Sequence, residues 1–331
     1  MTNNLINSIS DSLDLECNFE VLDNGEDKAL VLYNGIKTID YETFEDHIVD
    51  KGKYLGGYCE FKLVAIPNSV THINCNALKN CKRLESIVVS DDNEIYCSLD
   101  GVLYDKNKTK LYYVPPMVKL TELVLPDTVT EIDANAFMDS LQSDNEIHKD
   151  VAVINLDNCN VESIIVSEDN ELYSSQNGVL FSKDKTKLYR FPERSPLTEY
   201  VIPDTVTEIA ERAFNCCKDL KSVVIPSSVK RIGGMAFSHC LSLESVVIPD
   251  SINVIDYGTF MSCRNLKSIN IPNSVTRIND SAFHSTGLES VVIPDSVIEI
   301  EEWAFRYSKL TNVSVPKNTI VGEDAFECFP Y

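Results

Sequence analysis

A unit of 22–23 residues repeats along this chain, and that period limits the fold more than any other feature. Ile-Pro recurs at Ile202-Pro203, Ile225-Pro226, Ile248-Pro249, Ile271-Pro272 and Ile293-Pro294, and Val315-Pro316 follows. Successive prolines stand 23, 23, 23, 22 and 22 residues apart. The whole unit repeats: residues 220–242 read LKSVVIPSSVKRIGGMAFSHCLS, and 243–265 read LESVVIPDSINVIDYGTFMSCRN. The consensus is L-x-S-V-x-I-P-x-S-V-x-x-I-x-x-x-A-F-x-x-C. Looser copies precede it, anchored at Tyr33, Pro67, Ser90, Pro126 and Ser167. Residues 90–137 also align with 167–214 at an offset of 77, which matches Gly101 with Gly178 and Phe137 with Phe214. Counting every anchor yields eleven units.

The period is too short for helix-pair repeats and falls in the leucine-rich-repeat range of about 20–29 residues. The fourth and sixth positions of L-x-S-V-x-I share one face of a strand. The following V-x-x-I and A-F fill the rest of a rung's interior. No rung buries these residues alone, so neighbours must stack and share a core. Proline ends the strand, where its missing N–H interrupts the ladder. The expected fold class is a β-rich α/β solenoid: a leucine-rich-repeat stack of about eleven units, with parallel strands and short helical turns around A-F-x-x-C. Residues 1–27 form a cap and 28–331 the solenoid, with irregular segments at 46–62 and 138–160.

The units resemble the BspA-like leucine-rich repeats, whose signature is this I-P-x-S-V-x-x-I-x-x-x-A-F-x-x-C pattern. The resemblance covers roughly residues 28–331. The segments 94–105 and 170–182 look like a variant unit common in that family. The resemblance implies a surface or secreted protein engaged in adhesion and protein binding.

Stacking turns sequence positions into columns. Phe44, Phe137, Phe214, Phe237, Phe260, Phe283, Phe305 and Phe326, with Leu78 as a substitute, form a buried spine. Cys81, Cys217, Cys240 and Cys263 form a column of buried free thiols. Rungs about 4.8 Å apart hold their Cβ atoms too far apart for a bridge. The outward positions carry the candidate partner-binding residues. Position three is a hydroxyl column: Ser86, Ser163, Ser222, Ser245, Ser268 and Ser290. Position five is a valine stripe: Val88, Val124, Ile165, Val201, Val224, Val247, Asn270, Val292 and Ser314. The stripe has two readings, a protein-binding surface or the β-propensity of a continuous sheet. Tyr54, Tyr58 and Phe61 in the first irregular segment either anchor a partner or pack as part of a cap.

Composition narrows the function. Lys and Arg number 29 against 51 Asp and Glu, a net charge of −22. That disfavours nucleic acid and anionic membrane surfaces. No run of about 18 apolar residues exists, so no membrane insertion is expected. The acids Asp127, Asp204, Asp250 and Asp295 follow the turns, where they keep a sheet-rich solenoid soluble. Eleven cysteines without scaffold spacing read as reduced thiols. The first basic residue is Lys28, so the chain as written has no export signal and a cytoplasmic location is expected. A trimmed leader would instead place it at the cell surface or outside.

No catalytic constellation is legible. The histidines His47, His72, His148, His239 and His284 lack zinc-protease spacing. No C-x₂-C pair occurs. His239 and Cys240 are sequence neighbours and face different directions. The Asp105 loop lacks the glycine and glutamate of a calcium loop and reads better as a hairpin between GVLY and KLYYVP. No catalytic residue, cofactor or metal is therefore assigned, and the expected function is recognition of a protein partner.

Overall fold

Most regular rungs of the computed structural model, which describes residues 19–23, 28–40, 49–50, 53–54, 61–133, 136–137 and 160–327, open with a short strand closed by a proline turn. The turn is local: the Pro226 carbonyl accepts from the Val229 N–H at 3.1 Å, and Pro249, Pro272 and Pro294 repeat the bond to Ile252, Val275 and Val297. The serine of I-P-x-S-V ties one rung to the preceding one. Ser274 Oγ donates to the Ile252 carbonyl at 2.7 Å, and Ser296 Oγ to Val275 at 2.8 Å. A second strand follows, such as Arg231–Ile232 or Arg277–Ile278, and turns its isoleucine inward.

Among the described residues the result is a β-solenoid of about ten turns, against the expected eleven units, with parallel ladders. The chain divides into two compact units, Met1–Leu120 with Pro126–Asn160, and Thr121–Leu125 with Val161–Tyr331. The first unit has its own core, which includes Leu30, Val64, Ile87 and Tyr113. Phe61 joins that core and is buried, so of its two readings packing holds. In the second unit the outward face carries Glu122–Leu125 beside Ser163–Val166, then Glu199–Val201, Ser222–Val224 and Ser245–Val247 in register, and Ser290–Val292 beside Asn312–Ser314.

The helical half of the expectation is corrected. Among the described residues the only helix is a 3-10 stretch, Cys75–Asn80. The A-F-x-x-C segments are turns that hydrogen-bond sideways. Ala236 and Ser238 N–H donate within the rung, to Gly233 and Met235, while Phe237 and His239 N–H donate to Thr259 and Met261 of the next rung. Half the donors a helix would use thus leave the rung. Positive φ also recurs four residues apart, as at Met235 (55°) and His239 (58°) or Trp303 (56°) and Tyr307 (57°). A right-handed helix excludes that geometry.

The phenylalanine spine is buried over its middle and half-buried at Phe137 and Phe326, while the substitute Leu78 is buried. Phe214, Phe237, Phe260, Phe283 and Phe305 have 0% exposure. Their rings stack in near-parallel pairs at 4.8, 5.5, 5.4 and 4.9 Å, and Phe326 adds to Phe305 at 5.1 Å. Phe191 extends the stack by one ring, 5.2 Å from Phe214. Phe44 lies outside the described residues.

Hairpins interrupt the regular rungs. Asp100-Gly101 joins Tyr96–Leu99 to Val102–Asp105, and Asn177-Gly178 joins Tyr173–Gln176 to Val179–Ser182. Both residues of each tip have positive φ, as a two-residue hairpin loop demands. A side chain at Gly178 would lie 2.8 Å from Ser163 Cβ, so the tip can rest against the strand only as glycine.

Candidate protein-binding face

Alternation along each strand decides which residues face out. Val223, Val246 and Val291 point inward and are buried, while the residues on either side point away from the core. The stripe in the second unit is exposed: Val124 59%, Val201 67%, Val224 53%, Val247 67% and Val292 79%. Ser245, Ser268, Asn270 and Ser290 are exposed beside it, and Ser222 is partly covered. In the first unit Val88 is half-buried, so the exposed stripe belongs to the second unit.

Register brings these residues together. Ser222 faces Ser245, and Val201, Val224 and Val247 lie side by side across three strands. The ladder then thins to a single bridge between Ser268 and Ser290. There an open cleft of about 490 Å³ is lined by Asp250, Ser268, Asn270, Asn273, Ser290 and Val292, among others. Asn270 sets one amide between exposed valines. Exposed Lys221, Glu244, Lys267 and Glu289 alternate in sign beside the hydroxyl column, and exposed Asp204, Asp250 and Asp295 edge the proline side.

The remaining candidates fall elsewhere. Tyr54 ends the short strand Lys53–Tyr54, which pairs with Val49–Asp50 in the first unit. Tyr58 lies outside the described residues, as does segment 138–160 apart from Asn160. The second ladder has a different surface chemistry. Lys187 with Glu208, Glu208 with Arg231, and Arg277 with Glu299 form cross-rung ion pairs. Such exposed pairs contribute at most about 1 kcal/mol each.

The groups with chemical potential are engaged in structure. Cys240 Sγ donates to the Phe214 carbonyl at 3.0 Å, and Cys263 Sγ to the Phe237 carbonyl at 3.1 Å. The column is therefore a set of weak cross-rung donors as well as filler. His239 Nδ1 meets Ser238 Oγ at 2.7 Å. Asp105 accepts from the Lys110 N–H and the Thr109 hydroxyl, which closes the expected hairpin turn. Among the described residues no cluster of three His, Cys, Asp or Glu side chains has the placement of a metal site. No helix among them is long and apolar enough to cross a membrane.

Burial pushes the Cys263 thiol from 9.0 up to about 12, and desolvation raises Cys217 and Cys240 too. These thiols stay protonated in the folded chain while the unfolded chain ionises. Their contribution to stability is complete below pH 9 and is lost as pH rises toward 12. Denaturant midpoints should therefore fall across that window. A Cys217→Ala, Cys240→Ala, Cys263→Ala variant should show a shallower alkaline loss, and an unchanged slope would contradict the assignment. Unfolded protein without reductant should titrate eleven thiols.

The sequence matches the family model described as a BspA type leucine rich repeat region, in six copies over residues 51–98, 112–181 and 184–311. No curated protein matches it. Among solved structures it is similar to a leucine rich cell surface protein from Faecalibacterium prausnitzii, with 21% identity, 96% of each chain covered and a TM-score of 0.51. A leucine-rich repeat protein from Eubacterium ventriosum is 22% identical at a TM-score of 0.46, with 91% of this chain and 65% of that one covered. The pneumococcal vaccine antigen PcpA is 21% identical at 0.48, with 85% of this chain and 65% of that one covered. This chain thus spans 65% of the length of the last two.

Proposed function

The chain belongs to the BspA-type leucine-rich repeat family, and on that premise we propose that it is a non-catalytic scaffold that recognises a protein partner. The observation that carries this reading is the exposed valine stripe of the second unit, with five valines between 53% and 79% exposed on the outward strands of three short sheets. Aligned apolar side chains left in water on a rigid sheet favour association. The hydroxyls of Ser222, Ser245, Ser268 and Ser290 and the Asn270 amide supply hydrogen bonds along one margin. The irregular segments at 46–62 and 138–160, including Tyr54 and Tyr58, are the second contact region in this reading.

A second reading, a cell-surface adhesin, is favoured by the description of the Faecalibacterium relative as a cell surface protein. The buried thiols of Cys217, Cys240 and Cys263 favour a reducing compartment instead. Immunolabelling of intact against lysed cells separates the two. The recognition reading is tested by crosslinking and affinity purification with wild type and a Val224→Asp, Val247→Asp, Val292→Asp variant. The variant should fold normally and lose the partner. Equal recovery by both proteins would remove the stripe from the binding face.

A further inference from the structure

The outward sheet of the second unit is broken between Ser163–Val166 and Glu199–Val201, and the two sides of the break differ. The Ser163–Val166 side is sealed by the hairpin. Ile164 N–H donates to the Gly178 carbonyl at 2.8 Å, and Val166 N–H to Ser175 Oγ at 3.0 Å. The Glu199–Val201 side is bare, because that strand is the outer member of a three-stranded sheet. Its ladder uses Thr198, which accepts from Ser222 N–H, and Ile202, whose N–H donates to Val224. By alternation the N–H and C=O groups of Glu199 and Val201 point into the break. Among the described residues no hydrogen bond reaches either N–H.

The break holds an open cleft of about 400 Å³ whose lining includes Glu122, Glu162, Asn177, Ser195 and Leu197. Glu122 and Glu162 are exposed at the cleft, and Glu199, two residues beyond Leu197, is exposed on the edge strand. None of the three makes a salt bridge among the described residues, in contrast to the ion-paired glutamates of the second ladder.

We propose that this edge receives an extended, lysine- or arginine-bearing segment of a protein partner, which adds as a strand beside Glu199–Val201. The inference rests on the recognition reading above and names one site within it. Main-chain bonds to Glu199 and Val201 supply affinity, as in other strand additions. Side chains two residues apart on the guest strand share a face. One lies beside exposed Val201 and suits an apolar residue, and the next lies beside Glu199 and suits a cation. A second copy of this chain fits poorly, since its own charge is −22 and pairing like edges would set Glu199 near Glu199.

The test uses the full chain and a fluorescein-labelled acetyl-Lys-Val-Lys-Val-Lys-Val-Lys-amide peptide, read by fluorescence anisotropy. Wild type should bind it saturably, and added salt should weaken the binding. The Val201→Pro variant removes one edge donor at a position where proline is tolerated. It should weaken binding about tenfold or more, and so should Glu122→Gln, Glu162→Gln, Glu199→Gln combined. A peptide N-methylated at alternate amides should fail against unaltered protein, which removes any dependence on variant folding. A Glu302→Gln, Glu323→Gln variant, which alters exposed carboxylates outside this edge, should bind as wild type does. No saturable binding by wild type, or equal affinity for the N-methylated peptide, overturns the proposal. Either result leaves the recognition reading through the valine stripe in place.

Discussion

Phe237→Ala is expected to destabilise the second unit by about 3–5 kcal/mol. The ring has 0% exposure and lies 4.8 Å from Phe214 and 5.5 Å from Phe260, both near-parallel. Truncation removes the stacking on both sides and leaves a cavity that two rigid rungs bracket. Each rung is bonded to the next through Phe214 N–H to Ala236 and Phe237 N–H to Thr259, so collapse into the void would break that ladder. The same change at Phe326, which is half-buried and stacks on Phe305, should cost less, about 1–2 kcal/mol. Urea unfolding of the two variants measures the difference. A Phe237→Ala midpoint equal to wild type would show that the column is not a packed spine.

Asn93→Ala should be the most damaging polar substitution, at about 3 kcal/mol. Asn93 is fully buried and its amide makes four hydrogen bonds. Nδ2 donates to the Pro67 and Val70 carbonyls at 2.8 and 3.0 Å. Oδ1 accepts from the Ile95 and Tyr96 N–H groups at 2.9 and 2.8 Å. One side chain therefore joins a proline turn to the start of the next hairpin, and removing it breaks three buried bonds and one part-buried bond. Asn93→Asp should also destabilise, because a carboxylate keeps the two acceptor bonds and repels the two carbonyls. Hydrogen exchange at Ile95 and Tyr96 amides checks this directly, and wild-type protection in Asn93→Ala would refute it. Asn170 holds Leu172 and Tyr173 N–H in the same way, 77 residues later.

Much of the architecture is legible in the repeat. The strands, the proline turns, the spine and the thiol column follow from spacing, because alternation and turn chemistry act over a few residues. The Asp100-Gly101 and Asn177-Gly178 tips also carry a hairpin signal in the sequence itself. The role of Asn93 is hidden there, since its partners Pro67 and Val70 lie 26 and 23 residues away. Of the candidate face, Val224, Val247 and Val292 were legible as outward residues. The sequence could not say that Val88 is half covered while its counterparts in the second unit stand in water.

The period by itself determined that this protein is a stack of rungs with a shared interior, because a 22–23-residue unit holds too little apolar surface to stand alone. Only the tertiary structure decided the form of the A-F-x-x-C segments. Their composition permits a helical turn, but the Phe237 and His239 N–H groups find acceptors in the next rung, and a donor spent there cannot close a helix. The tertiary structure also decided the bare edge at Glu199–Val201. An edge exists only where a neighbouring strand is missing, and that depends on where the hairpin tip at Gly178 comes to rest.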